Sequence, residues 1–270
     1  MTFQPILPIS GYAGWRFLQR TLPTQQESFV KSPAIQRATD YFKENIGKIT
    51  NADALVADRR LMEVALGAFG LGEDINAKAF VARVLSDGTQ SDEALANRLS
   101  DKRYAEFSEA FGFGNGFPKT GLSGFTDRII AKYEAREFEV AVGAQDEDMR
   151  LALGLSEGLA TVLDRQTGPD ARWFAVMGNP PLRKLVEGAL GLPTAIAQID
   201  IEQQLDQFKS RAEAIFGTSD LSELAAPENQ DKMIRLYMAK AQLASGGSTT
   251  GGTIALSLLQ SMPRPYGAQP

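Results

Sequence analysis

The feature that most constrains this chain is a stretch that it carries twice. Leu61-Met-Glu-Val-Ala-Leu-Gly-Ala-Phe-Gly-Leu-Gly-Glu-Asp-Ile75 recurs as Leu182-Arg-Lys-Leu-Val-Glu-Gly-Ala-Leu-Gly-Leu-Pro-Thr-Ala-Ile196. Leu61/Leu182, Gly67/Gly188, Ala68/Ala189, Gly70/Gly191, Leu71/Leu192 and Ile75/Ile196 are identical, and Val64/Leu185, Ala65/Val186 and Phe69/Leu190 are apolar in both. Identity this dense at one constant offset marks an internal repeat. A helix-capping residue, Asp58 or Asn179, stands three positions before the matched leucine in each copy. Farther on, Gly88-Thr-Gln-Ser-Asp92 matches Gly217-Thr-Ser-Asp220 with one residue deleted, and Asp101-Lys102 matches Asp231-Lys232. The two units therefore span about 58–111 and about 179–241.

Hydrophobic spacing of three and four residues dominates, and strand patterning is hardly visible, so the sequence predicts an all-α protein. Ser32-Pro33 starts one helix, with Ile35, Tyr41, Phe42 and Ile46 on its apolar face and Gly47 as its stop. Thr50 with Asp53 reads as a capping box, and Asp58 caps the helix of the first copy, which Gly70 and Gly72 close. Helices starting at Ser91 and Asp101 follow, the second carrying Tyr104, Phe107 and Phe111. Gly112–Gly124, rich in glycine, is the candidate domain boundary or mobile loop. The expected organisation is an extended lead over 1–24, a first helical half over 25–120 and a second over 121–244. Over 245–270 it ends in a Gly/Ser linker and a short amphipathic helix with Ile254, Leu258, Leu259 and Met262 inward.

Composition excludes whole classes of chemistry. The chain has 270 residues, no Cys and no His. That rules out disulfides, thiol catalysis and thiolate-held metals, and also the usual general base at neutral pH and every imidazole-activated nucleophile. A net charge of -5 argues against nucleic acid as a partner. No run reaches the ~18–20 apolar residues of a membrane span, and Met1–Pro23 lacks the pattern of a cleaved secretory signal. The expectation is a protein made in the cytoplasm that is no enzyme and needs neither cofactor nor metal.

Several motifs invite a site and are better explained by structure. Asn179-Pro180-Pro181-Leu182 resembles the catalytic Asn-Pro-Pro-aromatic motif of amino-group methyltransferases, yet Leu182 is not aromatic and the flanks are helical, so Asn179 reads as an N-cap. Gly112-Phe-Gly-Asn-Gly116 and Ser245–Gly252 follow no strand and lack the Gly-Lys-Ser/Thr of a phosphate loop. Gln145-Asp-Glu-Asp148 has no cation-loop spacing and suits a first helical turn. Trp15 and Trp173 read as packing anchors. Trp15, with Leu18 and Leu22 at helical spacing, is also the candidate partner contact at the front of the chain, as Ile254, Leu258, Leu259 and Met262 are at its end.

Phe29-Val-Lys-Ser-Pro33 with Asp40-Tyr-Phe42, Leu61–Leu71 followed by Asn97–Tyr104, and Pro181–Pro193 resemble a family of uncharacterised alphaproteobacterial proteins encoded among flagellar basal-body and export genes. The resemblance covers most of the chain and implies a flagellar role, with other flagellar proteins as partners and no catalytic residues to carry across. It implies a location at the basal body or export by the flagellar secretion system, and neither end carries the long heptad stretch of a rod-building protein. Two alternatives stand beside a flagellum-associated structural or assembly protein. One is a small-molecule-binding protein or enzyme with a pocket between the repeat halves. The other is a cytosolic flagellar export chaperone or adaptor.

Overall fold

The computed structural model describes residues 3–246, and among them every regular element is helical. The chain runs α1 (Gly11–Val30), α2 (Pro33–Asn45), α3 (Ala52–Ala57), α4 (Arg59–Gly67), α5 (Lys78–Asp87), α6 (Leu95–Arg98) and α7 (Arg103–Phe111). It continues with α8 (Phe125–Gly143), α9 (Glu147–Arg165), α10 (Pro169–Met177), α11 (Pro180–Ala189), α12 (Ile201–Phe216), α13 (Leu221–Leu224) and α14 (Pro227–Gly246). The long helices α8 and α9 pack side by side at the centre. α4 lies against α8 and α2, and α11 against α9 and α14.

The two matched stretches fold alike at both ends. Asp58 accepts from the amides of Arg60 and Leu61, and Asn179 from that of Leu182, which satisfies N–H groups that a helix start leaves unpaired. At the other end the Leu71 amide reaches the Leu66 carbonyl at 2.9 Å and the Leu192 amide the Glu187 carbonyl at 2.9 Å. This closing bond turns the chain back on itself and needs a left-handed residue, supplied by Gly70 at φ 68° and Gly191 at φ 67°. A 3-10 turn follows each, Gly72–Asn76 and Thr194–Gln198. Farther along the match is looser: Asp101 lies just before α7, whereas Asp231 lies inside α14.

Each copy is also seated in the same way. A Cβ added at Gly67 would lie 2.8 Å from the Tyr133 ring of α8, and one at Gly188 would lie 2.4 Å from the Tyr237 ring of α14. Both rings are buried, so a hydrogen atom in place of a side chain is what lets each helix approach its neighbour.

Three expectations need correction. The extended lead expected over 1–24 gives way to helix at Gly11, because α1 takes Gly11–Val30 with Pro23 inside it. An internal proline costs a helix about 3 kcal/mol, but α1 buries Trp15, Leu18 and Phe29. Burial of such side chains contributes about 1.5–3 kcal/mol each and outweighs the proline. Gly112–Gly124 is neither a boundary nor a loose loop. The Lys119 amide donates to the Phe111 carbonyl, the Thr120 hydroxyl to the Ile49 carbonyl, and the Thr89 amide to Asn115 Oδ1. The edge-to-face rings of Phe107, Phe111 and Phe125 carry the core across it, so the two halves share one core. The cap of α3 is Asn51, which accepts from the Ala54 amide, in place of the Thr50–Asp53 box. The linker expected from Ser245 begins inside α14, and the expected helix with Ile254, Leu258, Leu259 and Met262 lies outside the described residues.

Substituting the seats tests this packing. Gly188→Ala and Gly67→Ala each force a methyl into a buried ring and are expected to lose about 1–3 kcal/mol. Gly70→Ala and Gly191→Ala place a side chain in the left-handed region and lose about 1–2 kcal/mol. Thermal unfolding reads both pairs, and a wild-type melting temperature in Gly188→Ala would remove the ring contact from the account.

Candidate binding cleft

The turn that ends α4 and the start of α11 face each other across an open cleft of about 810 Å³. One wall is Gly67–Asp74 with Arg103, Tyr104 and Glu106 of α7, and the other is Asn179–Leu182 with Lys184. The floor is made by α8 and α9. On α8 it is Lys132, Arg136, Glu139, Val140 and Gly143, and on α9 Glu147, Arg150, Gly154, Gly158 and Thr161. Those spacings of three and four residues place each set on one helix face.

Glycines give the floor its shape. Gly inside a helix costs about 1 kcal/mol relative to Ala, but a Cβ at Gly143 would lie 2.4 Å from Arg150 Cδ, and one at Gly154 3.3 Å from Arg136 Nη1. The two arginines thus lie in space that side chains would fill. Arg136 bonds Glu139 at 2.7 Å and approaches Glu157 at 3.6 Å, while Lys132 reaches Glu157 at 3.5 Å. Arg150 grips Glu147 with two bonds of 2.6 and 2.7 Å, and Lys184 of α11 stands 3.7 Å from the same carboxylate. The charges of the floor are therefore crossed between α8 and α9 and tied at one end to α11.

The carboxylates respond to this setting in opposite directions. Glu147 is held below its ordinary range by the Arg150 hydrogen bond. Glu139 is pushed up, because burial outweighs the attraction of Arg136. Glu106 and Glu137 are also raised by burial, Glu137 with a further push from the Glu63 charge. In the wall, burial and a 2.6 Å bond to Asp74 raise Tyr104 to about 12, so it stays a phenol and a donor.

The structure puts the residues singled out in the sequence in varied places. Gly67–Gly72 and Asn179–Leu182, read as a helix end and a capped helix start, are both, and they also line the cleft. Trp15 and Leu18 are buried against the body, and Leu22 is half-buried. Trp173 donates its indole N–H to the Ser219 carbonyl at 2.9 Å and anchors α10. In Gln145–Asp148, Asp146 caps α9, Glu147 holds Arg150 and Asp148 accepts the Tyr237 hydroxyl. No group of three metal-binding side chains occurs among the described residues. The sequence reading missed Lys132, Arg136, Glu139 and Arg150. The signal present was Gly154 and Gly158, two glycines one turn apart in mid-helix.

A family model described as a protein of unknown function, DUF1217, matches residues 68–229. The chain belongs to this family. The matched span takes in the whole cleft lining except Gly67. The crystal structure of an Agrobacterium tumefaciens protein from a structural-genomics programme is similar, with a TM-score of 0.72 over 89% of this chain and 99% of that one at 24% identity. At that identity the likeness shows a shared fold. No curated protein matches the chain. No described helix is long and apolar enough to cross a membrane.

The raised carboxylates give this DUF1217 member a signed pH response. Where a folded-state pKa lies above the unfolded one, the folded chain holds more protons between the two values, and stability falls as pH rises through that window. Glu137→Gln is therefore expected to raise the melting temperature by a few degrees at pH 7. The gain should vanish once pH drops below the ordinary carboxylate range, as thermal melts across pH would show.

Proposed function

We propose that this DUF1217 protein is a non-enzymatic, flagellum-associated structural or assembly protein that takes hold of another protein in the cleft between its two matched stretches. The observation that carries the reading is the cleft itself, which has one wall from each copy and a charged floor that α8 and α9 hold in place. Val140 stands 54% exposed in that floor, an apolar contact among charges. Mixtures of this kind suit a partner's polar and apolar side chains together. The flagellar setting rests on the resemblance of Leu61–Leu71, Asn97–Tyr104 and Pro181–Pro193 to proteins encoded among flagellar genes.

The non-enzymatic part is supported by chemistry. The sequence has no imidazole or thiol, Glu139 and Glu147 are bound to arginines, and Tyr104 stays protonated. A small molecule in the same cleft is the second reading, favoured by a volume within the ~300–1,000 Å³ typical of ligand sites. A metabolite that raises the melting temperature by several degrees would favour it over a protein partner.

Gene deletion with complementation separates the parts of the proposal. Loss of the gene is expected to impair swimming or flagellar assembly. The wild-type chain should restore it, and Val140→Arg, which adds bulk and charge at an exposed position, should not. Normal flagella in the deletion strain would overturn the flagellar role. Full rescue by Val140→Arg would show that the cleft is not the contact.

A further inference from the structure

A smaller chamber of about 290 Å³ opens beside the cleft, between α7, α8 and α9. It shares Phe69, Glu106, Lys132 and Thr161 with the cleft lining, so the two spaces adjoin. Four cations line it, Lys119, Arg128, Lys132 and Arg165, against the carboxylates of Glu106, Glu109 and Asp164. Arg165 is paired with Glu109, and Lys132 with Glu157 at 3.5 Å. The side chains of Lys119 and Arg128 have no hydrogen-bond, ion-pair or ring partner among the described residues.

Cations without a partner also stand elsewhere on the surface, Arg20 and Lys43 among them, and what distinguishes these two is that they line one chamber. Phe69, Phe125 and Ile129 are buried beneath them, and charges over a low-dielectric floor act more strongly than in open water. Lys119 is also fixed in advance. Its amide bonds the Phe111 carbonyl, and its aliphatic stem lies where a Cβ at Gly112 would stand 3.1 Å from Lys119 Cγ. A prepositioned cation loses less freedom on binding than one on a loose loop.

We infer that the chamber is an oxyanion subsite of the cleft, in which Lys119 and Arg128 take a carboxylate or phosphate group carried by whatever the cleft holds. The inference rests on the cleft being the binding surface and adds the chemistry of one end of its ligand. An arginine provides a planar fork for two oxygens and a lysine a compact point charge. Lys132, 5.5 Å from the centre of the Phe69 ring, lines both spaces.

The probes are a fluorescein-labelled peptide of Glu and Ala, its Gln/Ala counterpart, and inorganic phosphate, each titrated against the full chain. The Glu/Ala peptide is expected to bind, to weaken with added salt, and to bind a Lys119→Gln/Arg128→Gln double variant at least about tenfold less tightly. The Gln/Ala peptide should bind the parent no better than that variant binds the acidic one. An Arg20→Gln/Lys43→Gln control, with both changes on exposed side chains elsewhere, should bind like the parent. Phosphate binding lost in the Lys119/Arg128 variant, without peptide binding, would support the subsite with a free small anion as its source. Acidic peptide bound equally by parent and double variant, or no binding of peptide and phosphate alike, would overturn it. Because neither side chain has an internal bond to lose, the double variant should melt with the parent. Anion binding that persists while Val140→Arg still rescues motility would leave the subsite standing and remove the cleft reading.

Discussion

The fold depends on two places where a helix has no side chain to keep its neighbour away. Gly67 lets the Tyr133 ring lie against the backbone of α4, and Gly188 does the same for Tyr237 against α11. Packing at interior density penalises even one added methyl at such a point. Tyr237 also donates its hydroxyl to Asp148 in the first turn of α9, so one residue of α14 fixes both α11 and α9. The turn after α4 and the start of α11, seated by those contacts, stand as the two walls of the cleft.

The same helix face serves packing and site. Tyr133 seats Gly67, and one turn later α8 presents Arg136 and Glu137 to the cleft. A Cβ at Gly67 would also stand 3.2 Å from Glu137 Oε1. The ion pairs of the floor are partly buried, with the Arg136 side chain 25% and that of Glu139 11% exposed. Pairs at this depth roughly balance desolvation against attraction, and contribute more to defining one arrangement than to net stability. A floor built this way keeps its charges fixed before a ligand arrives.

Much of the architecture was legible because it is written in short-range signals. The caps at Asp58 and Asn179 and the stops at Gly70 and Gly191 are local chemistry, and comparing the two copies made each more secure than either alone. α1 was hidden because Gly11, Gly14 and Pro23 read as breakers, and only the burial of Trp15 and Leu18 in the tertiary structure overrides them. Gly112–Gly124 looked loose for the same reason, since its order comes from Ile49 and Thr89, far away in sequence. The cleft charges were illegible because Arg136 with Glu139 has the spacing of an ordinary surface pair, and nothing local says that Gly154 lies beneath it.

Fold and family agree on the body of the protein: the DUF1217 match takes in parts of both copies, and the similar Agrobacterium tumefaciens structure shares the helical arrangement. The central claim is that the cleft is where this protein meets its partner. Because the chain has no cysteine, a single Cys placed at Val140 in the purified chain carries a thiol-reactive photo-crosslinker at that position alone. Crosslinking of the labelled Val140→Cys chain in cell extract, with Lys43→Cys as the control on another exposed face, tests the claim directly. The account predicts a defined adduct with a flagellar component from position 140 and none from position 43. The reverse pattern, or the same weak adducts from both positions, would contradict it.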